Sequence, residues 1–224
     1  MTTITISRDF GSGGHDIAQK TAQMLGFHYV DKDLIATILS QYGFVDFNEA
    51  YNTIPNFWDR IDSQKEGRRE LMVTMLNRVI LALAFHGNVV ILGRGSFAVL
   101  NGFADVFNVR IQSPQSSRIG YILDHQLASS PEQAETILKE KDNVRMDFIE
   151  MYYGIRWDEA KAFDLVMDTS KIKAELVVEW LVEATKALKH LDIGNQRTID
   201  TIKVDPVLAS VISSELSCNI THRT

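Results

Sequence analysis

The residues best placed to do chemistry are a glycine run near the start of the chain and a set of separated arginines. Arg8-Asp9-Phe10-Gly11-Ser12-Gly13-Gly14 sits between an alternating stretch with Ile4 and Ile6 and a helical pattern in which Ala18, Ala22 and Leu25 recur at i, i+4 and i+7. Glycines accept positive φ and let consecutive N–H groups approach an anion, while the following helix points its positive end at the same place. Gly11 to Gly14 therefore read as a phosphate cradle between a strand and a helix that Gly26 closes. Set against the P-loop pattern, GxxxxGK followed by Ser or Thr, the run departs in a definite way. Anchored on Gly13, it has Arg8 at the first glycine, Gly14 at the lysine and His15 at the hydroxyl residue. The ammonium that reaches the β/γ-phosphates and the hydroxyl that helps hold Mg2+ are both replaced. The residues alone indicate anion binding more than catalysis, with a βα turn that binds nothing as the alternative.

Gly93-Arg94-Gly95 follows the continuous apolar run Val89-Val90-Ile91-Leu92, the mark of a strand covered on both faces. An arginine at that point is costly unless an anion or a carboxylate meets it, and a ligand phosphate is the favoured reading. Asp31 ends another short strand pattern, at the carboxyl edge where open α/β sheets bind ligands; the alternative for it, and the favoured one for Asp33, is a helix N-cap. Arg118 falls on a helix over about 115–127. Arg145 falls on a polar helix over about 132–148 with Lys139, Lys141 and Asp142, which reads as solvated or as a lid.

Positioning these residues takes strands at about 3–6, 27–30, 89–92, 106–111 and 163–168, with helices between them. The pattern predicts a three-layer α/β/α fold around a five-stranded parallel sheet. A helix over 68–85 carries Leu71, Met75, Val79 and Leu83, and another opens at Thr169-Ser170 and runs to about Lys189. Residues 43–66, with Pro55, Phe57 and Trp58, have no period and read as short helices or a flap. A tail over 191–224 offers one amphipathic stretch, 204–216, to cap the domain or meet a partner. With the broad apolar helix it invites a homodimer.

Composition narrows the function classes. The 224 residues are 45% hydrophobic and 23% charged, as a chain with a sizeable core requires, and the net charge of −6 argues against a general nucleic-acid binder. An anionic ligand must then be held by a local positive site. One cysteine, Cys218, excludes a disulfide framework; no 18-residue apolar run is present and no signal peptide precedes the first strand, so a cytoplasmic protein off the membrane is expected. The six histidines show no ligand spacing, so no protein metal site is expected. Trp58, Tyr152, Tyr153 and Trp157 read as packing aromatics.

With ISRDFGSGGHDIA, FHYVDKDLI, VILGRGSFAVL, VRIQSPQSSRI, KEKDNVRMDF and FDLVMDTSKI in this order, the chain resembles the cytidylate kinase-like family, a branch of the P-loop nucleoside monophosphate kinases. The resemblance covers Ile4 to about Leu188 and includes the loop without lysine. His15-Asp16 stands where an Arg-Glu pair is commoner, and Asp168 where Asn is. The resemblance implies a P-loop NTPase-like domain over 1–190, with an acceptor-binding segment at about 31–66 and a helical lid at about 128–158. It implies transfer of the ATP γ-phosphoryl, with Mg2+, to a pyrimidine monophosphate such as CMP or dCMP. Carried over position by position, Gly11, Ser12, Gly13, Gly14 and the amides of His15 and Asp16 hold the donor phosphates. Arg94 and Asp31 serve the acceptor, and Arg118, Lys139, Asp142 and Arg145 flank the lid. Arg8 or the lid arginines are the candidates to replace the missing lysine, with Ser7, Ser12 or Asp16 as candidates to help hold Mg2+. Two other readings stand beside an active kinase: a nucleotide-binding sensor without transfer activity, and a small-molecule kinase with a non-nucleotide acceptor.

Overall fold

The computed structural model describes residues 2–52 and 63–221. Pro55, Phe57 and Trp58, within the expected acceptor segment, and His222 lie outside the described residues.

Five strands form one parallel sheet: β1 (Thr3–Arg8), β2 (His28–Val30), β3 (Val89–Leu92), β4 (Val106–Gln112) and β5 (Leu165–Asp168). Their order is β2-β3-β1-β4-β5, every pairing parallel. β1 is central, with the consecutive strands β3 and β4 on its opposite sides, so the crevice beyond its carboxyl end is a topological switch point, the usual ligand position of such sheets.

On one face lie α1 (Gly14–Leu25) and α8 (Ala174–Leu188), whose Ile17, Ala18, Ala22, Val177 and Leu181 pack on Ile4, Ile6, Val90, Leu92 and Val109. The other face is covered by α2 (Lys32–Ser40), α4 (Ser63–His86) and α9 (Pro206–Thr221), with Val89 and Ile91 against the α4 side chains Leu76, Ile80 and Leu83. β1 and β4 depart from apolar burial, since one face of β1 is Thr3, Thr5 and Ser7 and β4 buries Asn108 and Arg110. Each hydroxyl is satisfied: Thr3 Oγ1 donates to Ala84 O (3.4 Å), Thr5 Oγ1 to Asn108 Oδ1 (2.7 Å), and Ser7 Oγ accepts from Trp157 Nε1 (3.1 Å).

Shorter helices complete the chain: α3 (Phe47–Asn52), α5 (Ser96–Val99) and α6 (Gln115–Asp124), followed by α7 (Pro131–Tyr153). Sequence expectations change at α7 and at Thr169-Ser170, and the tail takes the capping alternative. α7 runs to Tyr153 rather than stopping near 148, because Gly154 is the first residue to take the left-handed cap, at φ 64°. It is also anchored: Ala134 and Leu138 pack with Ile122 of α6, and Phe148 and Ile149 enter the main core. Thr169-Ser170 does not open a helix; Thr169 Oγ1 donates to Ser12 O (2.9 Å), the Ser170 N–H to Asp168 Oδ1 (2.8 Å), and α8 begins at Ala174. The tail stretch is α9, whose Leu208, Ile212 and Leu216 are buried in the core formed with α4 and α2. No helix among the described residues is long and apolar enough to cross a membrane.

Candidate active site

The loop from Asp9 to Gly13 leaves the end of β1 and enters α1. Gly11 (φ 77°) and Gly13 (φ 73°) hold left-handed backbone. Gly13 is the N-cap and offers no side chain to the helix, so the leading amides of α1 are left for an anion. The loop is braced from behind. Ser12 Oγ donates to Asp9 O (2.9 Å) and Ile111 O (3.3 Å) and so faces inward. Asp9 Oδ1 accepts from Arg110 Nη2 (2.8 Å), and Arg110 Nη1 donates to Trp157 O (2.7 Å). Burial pushes the Asp9 carboxyl above the usual carboxylate range, with Arg110 pulling it back. Asp9 is thus committed to the frame. His15 Nδ1 lies 2.9 Å from the Tyr29 hydroxyl, and Asp16 Oδ2 accepts from the Tyr121 hydroxyl at 3.4 Å.

In front of the loop is a cavity of about 380 Å³ lined by Arg8, Gly13, Gly14, Lys32, Arg94 and Arg145, among others. Arg94 follows β3 in left-handed backbone (φ 57°) between Gly93 (φ 74°) and Gly95 (φ 73°), an uncommon conformation for a residue with a side chain. It is 5% exposed; its Nη2 donates to Asn48 Oδ1 (2.7 Å) and its guanidinium lies 3.8 Å from the Tyr51 ring centre. Burial lowers its pKa, with Tyr51 raising it in part. Arg8 is only partly buried as a whole residue, yet its guanidinium is desolvated and its pKa drops to about 9, with Arg145 and Arg94 adding like charge. Among the described residues no carboxylate forms an ion pair with Arg8 or Arg94.

α7 supplies one carboxylate to this region. Asp142 accepts from the Phe10 N–H (3.0 Å), from Arg145 Nη1 (3.1 Å) and from Arg118 Nη1. Arg145 still lines the cavity, its pKa lowered by burial and raised in part by Asp142. Arg118 is turned to the back of the loop, with Nη1 also 3.3 Å from Phe10 O. Lys139 points away and pairs with Glu135 at 2.8 Å on the surface.

A glycine cradle flanked by Arg8 and Arg94, neither of them in an ion pair with a carboxylate among the described residues, is a site for a polyanion. The cytidylate kinase-like family model matches residues 3–171, which is most of the chain. The chain belongs to the cytidylate kinase-like family. A cytidylate kinase of Ignicoccus hospitalis is 30% identical over 182 residues, spanning 80% of this chain and 96% of that protein. Among solved structures, an uncharacterized protein from Eubacterium ventriosum aligns with a TM-score of 0.64 at 16% identity, over 84% of this chain and 99% of that one. A Thermus thermophilus protein aligns at 0.51 with 14% identity, over 85% and 98%. At these identities the solved structures speak for the fold.

Membership of the cytidylate kinase-like family ties the chain to kinase chemistry on a nucleotide or other small molecule. The residues present fit a nucleoside triphosphate: Gly11, Gly13 and Gly14 would face its phosphates, and Arg8 and Arg145 would meet their charge. No group of three or more His, Cys, Asp or Glu side chains gathers as a metal cage among the described residues. A Mg2+ ion here would be held largely by phosphate oxygens and water, as this ion commonly is. Of the other residues singled out in the sequence, Asp31 is the N-cap of α2, its Oδ1 accepting the N–H groups of Asp33 (2.9 Å) and Leu34 (3.1 Å). Neither Asp31 nor Ser12, Asp16 or Arg118 lines the cavity. Asn48 and Tyr51, which position Arg94, carry no sequence signal because they lie in the stretch without period.

Proposed function

We propose that this protein is a nucleoside monophosphate kinase, moving the γ-phosphoryl of ATP to a pyrimidine monophosphate such as CMP or dCMP with Mg2+. The observation that carries the reading is the convergence of Arg8, Arg94 and Arg145 on one cavity floored by the glycine loop. Phosphoryl transfer asks little covalent help of a protein; it needs donor and acceptor held in line while positive groups neutralise the equatorial oxygens. In this reading the amides from Gly11 to Asp16 hold the donor, Arg94 binds the acceptor phosphate and Arg8 and Arg145 cover the transferring group. Arg118 holds the lid carboxylate Asp142, and Asp31 fixes the start of the acceptor segment. An acceptor phosphate oxygen bonds to the γ-phosphorus as the bridge to the β-phosphate breaks, leaving ADP. The choice of a cytidine acceptor leans on the name of the Ignicoccus hospitalis relative. Small nucleotides are the partners; nucleic acid and membrane play no part in it.

A second reading, a nucleotide sensor without transfer, is favoured by one feature: Asp142 already neutralises Arg118 and Arg145. A coupled ADP-release assay with Mg-ATP against CMP, dCMP, UMP and AMP, beside calorimetric titration of ATP alone, separates the two. Turnover dependent on one of these acceptors and lost in Arg94→Ala supports the kinase. Tight ATP binding with no turnover on any acceptor supports the sensor, or a kinase whose acceptor is not a nucleotide.

A further inference from the structure

We propose that Arg8 is the catalytic cation that the glycine loop lacks, contacting the β/γ-phosphates in place of the lysine, and that position 14 is glycine because Arg8 needs its space. The inference rests on the phosphotransferase reading and assigns the means by which a loop without lysine transfers phosphate.

The backbone does not ask for glycine at position 14. Its φ is not positive, in contrast to Gly11 and Gly13. A glycine there only weakens the first turn of α1 relative to alanine. What requires it is room: a Cβ on Gly14 would stand 2.6 Å from Arg8 Cβ and 3.0 Å from Arg8 Cγ. At the other end of the same side chain, a Cβ on Gly93 would stand 1.9 Å from Arg8 Nη1. Two glycines, one opening α1 and one ending β3, thus hold a channel for a single arginine. Relative to the P-loop pattern, the glycine and the cation have changed places around the loop.

The surroundings of Arg8 are those of a ligand-directed charge. Its guanidinium is desolvated, and the groups facing it are Arg145 from α7, Arg94 beyond β3, Tyr51 from α3 and Tyr29 from β2. Among the described residues its guanidinium makes no hydrogen bond and no ion pair, so it braces none of them. A buried charge beside like charges costs stability unless an anion answers it. The polyanion this cavity fits is the triphosphate tail of the donor. A guanidinium there spans two oxygens with its fork, where a lysine would present one point charge.

The test uses the full chain and compares wild type with Arg8→Ala, Gly14→Lys and the double variant Arg8→Gly with Gly14→Lys. Four quantities are read: kcat, KM for ATP, ATP affinity by calorimetry, and melting temperature. Arg8→Ala is expected to lower kcat by about 10²-fold or more, the effect of removing one transition-state donor, with the melting temperature held or raised. Gly14→Lys alone is expected to lower both activity and melting temperature. The double variant, which clears the space, is expected to recover at least about tenfold of the lost kcat. A kcat for Arg8→Ala within about twofold of wild type overturns the proposal. So does a loss of activity that follows a fall in melting temperature, since Arg8 would then be a brace. Wild-type turnover tests the kinase reading separately. Should wild type bind ATP without turnover, that reading fails alone: a tenfold loss of ATP affinity in Arg8→Ala keeps the phosphate contact, and unchanged affinity overturns it. Absence of ATP binding by wild type overturns both.

Discussion

Asp142, midway along α7, accepts the backbone N–H of Phe10 in the glycine loop at 3.0 Å, joining residues 132 positions apart. The same carboxylate takes Arg145 and Arg118, so it collects an amide and two guanidinium groups as a phosphate would. Asp142→Ala would leave these donors without their acceptor, at a cost of about 1–3 kcal/mol. Hydrogen exchange over residues 131–147 should accelerate while the core helix α4 stays protected. Equal protection in the variant would mean that Ala134 and Leu138, packed on Ile122, hold the lid without the carboxylate.

Arg8 gives the protein a pH signature. Its pKa is about 9 in the folded chain, well below that of the free group, lowered first by burial and then by Arg145 and Arg94, with Tyr51 and Tyr29 opposing. Below about pH 9 both folded and unfolded chains carry the charge, and its cost to folding is fully present. Above about 9, up to the higher pKa of the free group, only the unfolded chain holds the proton, so this contribution to stability rises with pH. Wild type should therefore gain on Arg8→Met as pH goes from 8 to about 10.5, in paired denaturant titrations. Activity should move the opposite way, with kcat/KM falling above about 9 as the cation is lost. A constant stability difference across that range would remove the argument.

α9 is part of the folding unit. Ile212 is 1% exposed in the core shared with α4, and Gln41 Nε2 of α2 donates to Glu215 Oε1 at 2.6 Å. Ile212→Ala should cost about 2–5 kcal/mol by the methyl groups removed and the cavity left. Chemical denaturation would read this as a lower midpoint at unchanged slope. A cost below about 0.5 kcal/mol would put α9 among surface additions.

The sheet was legible because its signals are local. Val89 to Leu92 is apolar throughout, as a doubly covered strand must be, and Gly26 and Gly87 mark the helix ends before β2 and β3. The site was legible only where a residue type contradicts its surroundings. Arg94 stands out because glycines flank it at the end of a buried strand, and Arg8 because it stands where a glycine belongs. What could not be read was pairing across the chain. Asp142 looks like one charge among many on a polar helix until α7 folds onto Phe10. Asp31 at a strand end satisfies the rule for a ligand carboxylate and the rule for a helix cap alike, and only the geometry of α2 chooses the cap. Thr169 has the look of a helix start, yet its hydroxyl goes to Ser12 O because the loop needs a donor there. α7 misleads in length because the charged residues on its outer side hide Phe148 and Ile149.

The Asp9–Arg110 pair should prove structural. Both side chains are nearly buried, at 12% and 6% exposure, and Arg110 also donates to Trp157 O. Removing one partner of a buried pair leaves the other charge uncompensated, which costs about 3–5 kcal/mol. Asp9→Ala should therefore lower the melting temperature by about 6–20 °C for a chain of this size. Changing both residues, Asp9→Asn with Arg110→Met, should recover part of that loss, since no orphan charge remains. A single variant as stable as wild type would show that water reaches Arg110.

Arg94 should behave in the reverse manner, costing function but little stability when removed. Holding a side chain in left-handed backbone costs about 1–2 kcal/mol, and Arg94→Gly relieves it. Against that stand the stacking on Tyr51, worth about 0.5–2 kcal/mol, and the hydrogen bond to Asn48, which Asn48 can remake with water once the cavity opens. The terms nearly cancel, so the stability change should stay within about 1 kcal/mol, or about 2–4 °C. The acceptor KM should rise by at least about tenfold, because a charge-assisted contact to its phosphate is worth about 1.5–3 kcal/mol. Lys in place of Arg94 should recover little, since it has neither the planar face for Tyr51 nor a fork for the phosphate. If Arg94→Gly unfolds the protein by more than about 3 kcal/mol, the arginine is there for Asn48 and Tyr51, and the acceptor phosphate must be bound by Lys32 or Arg145.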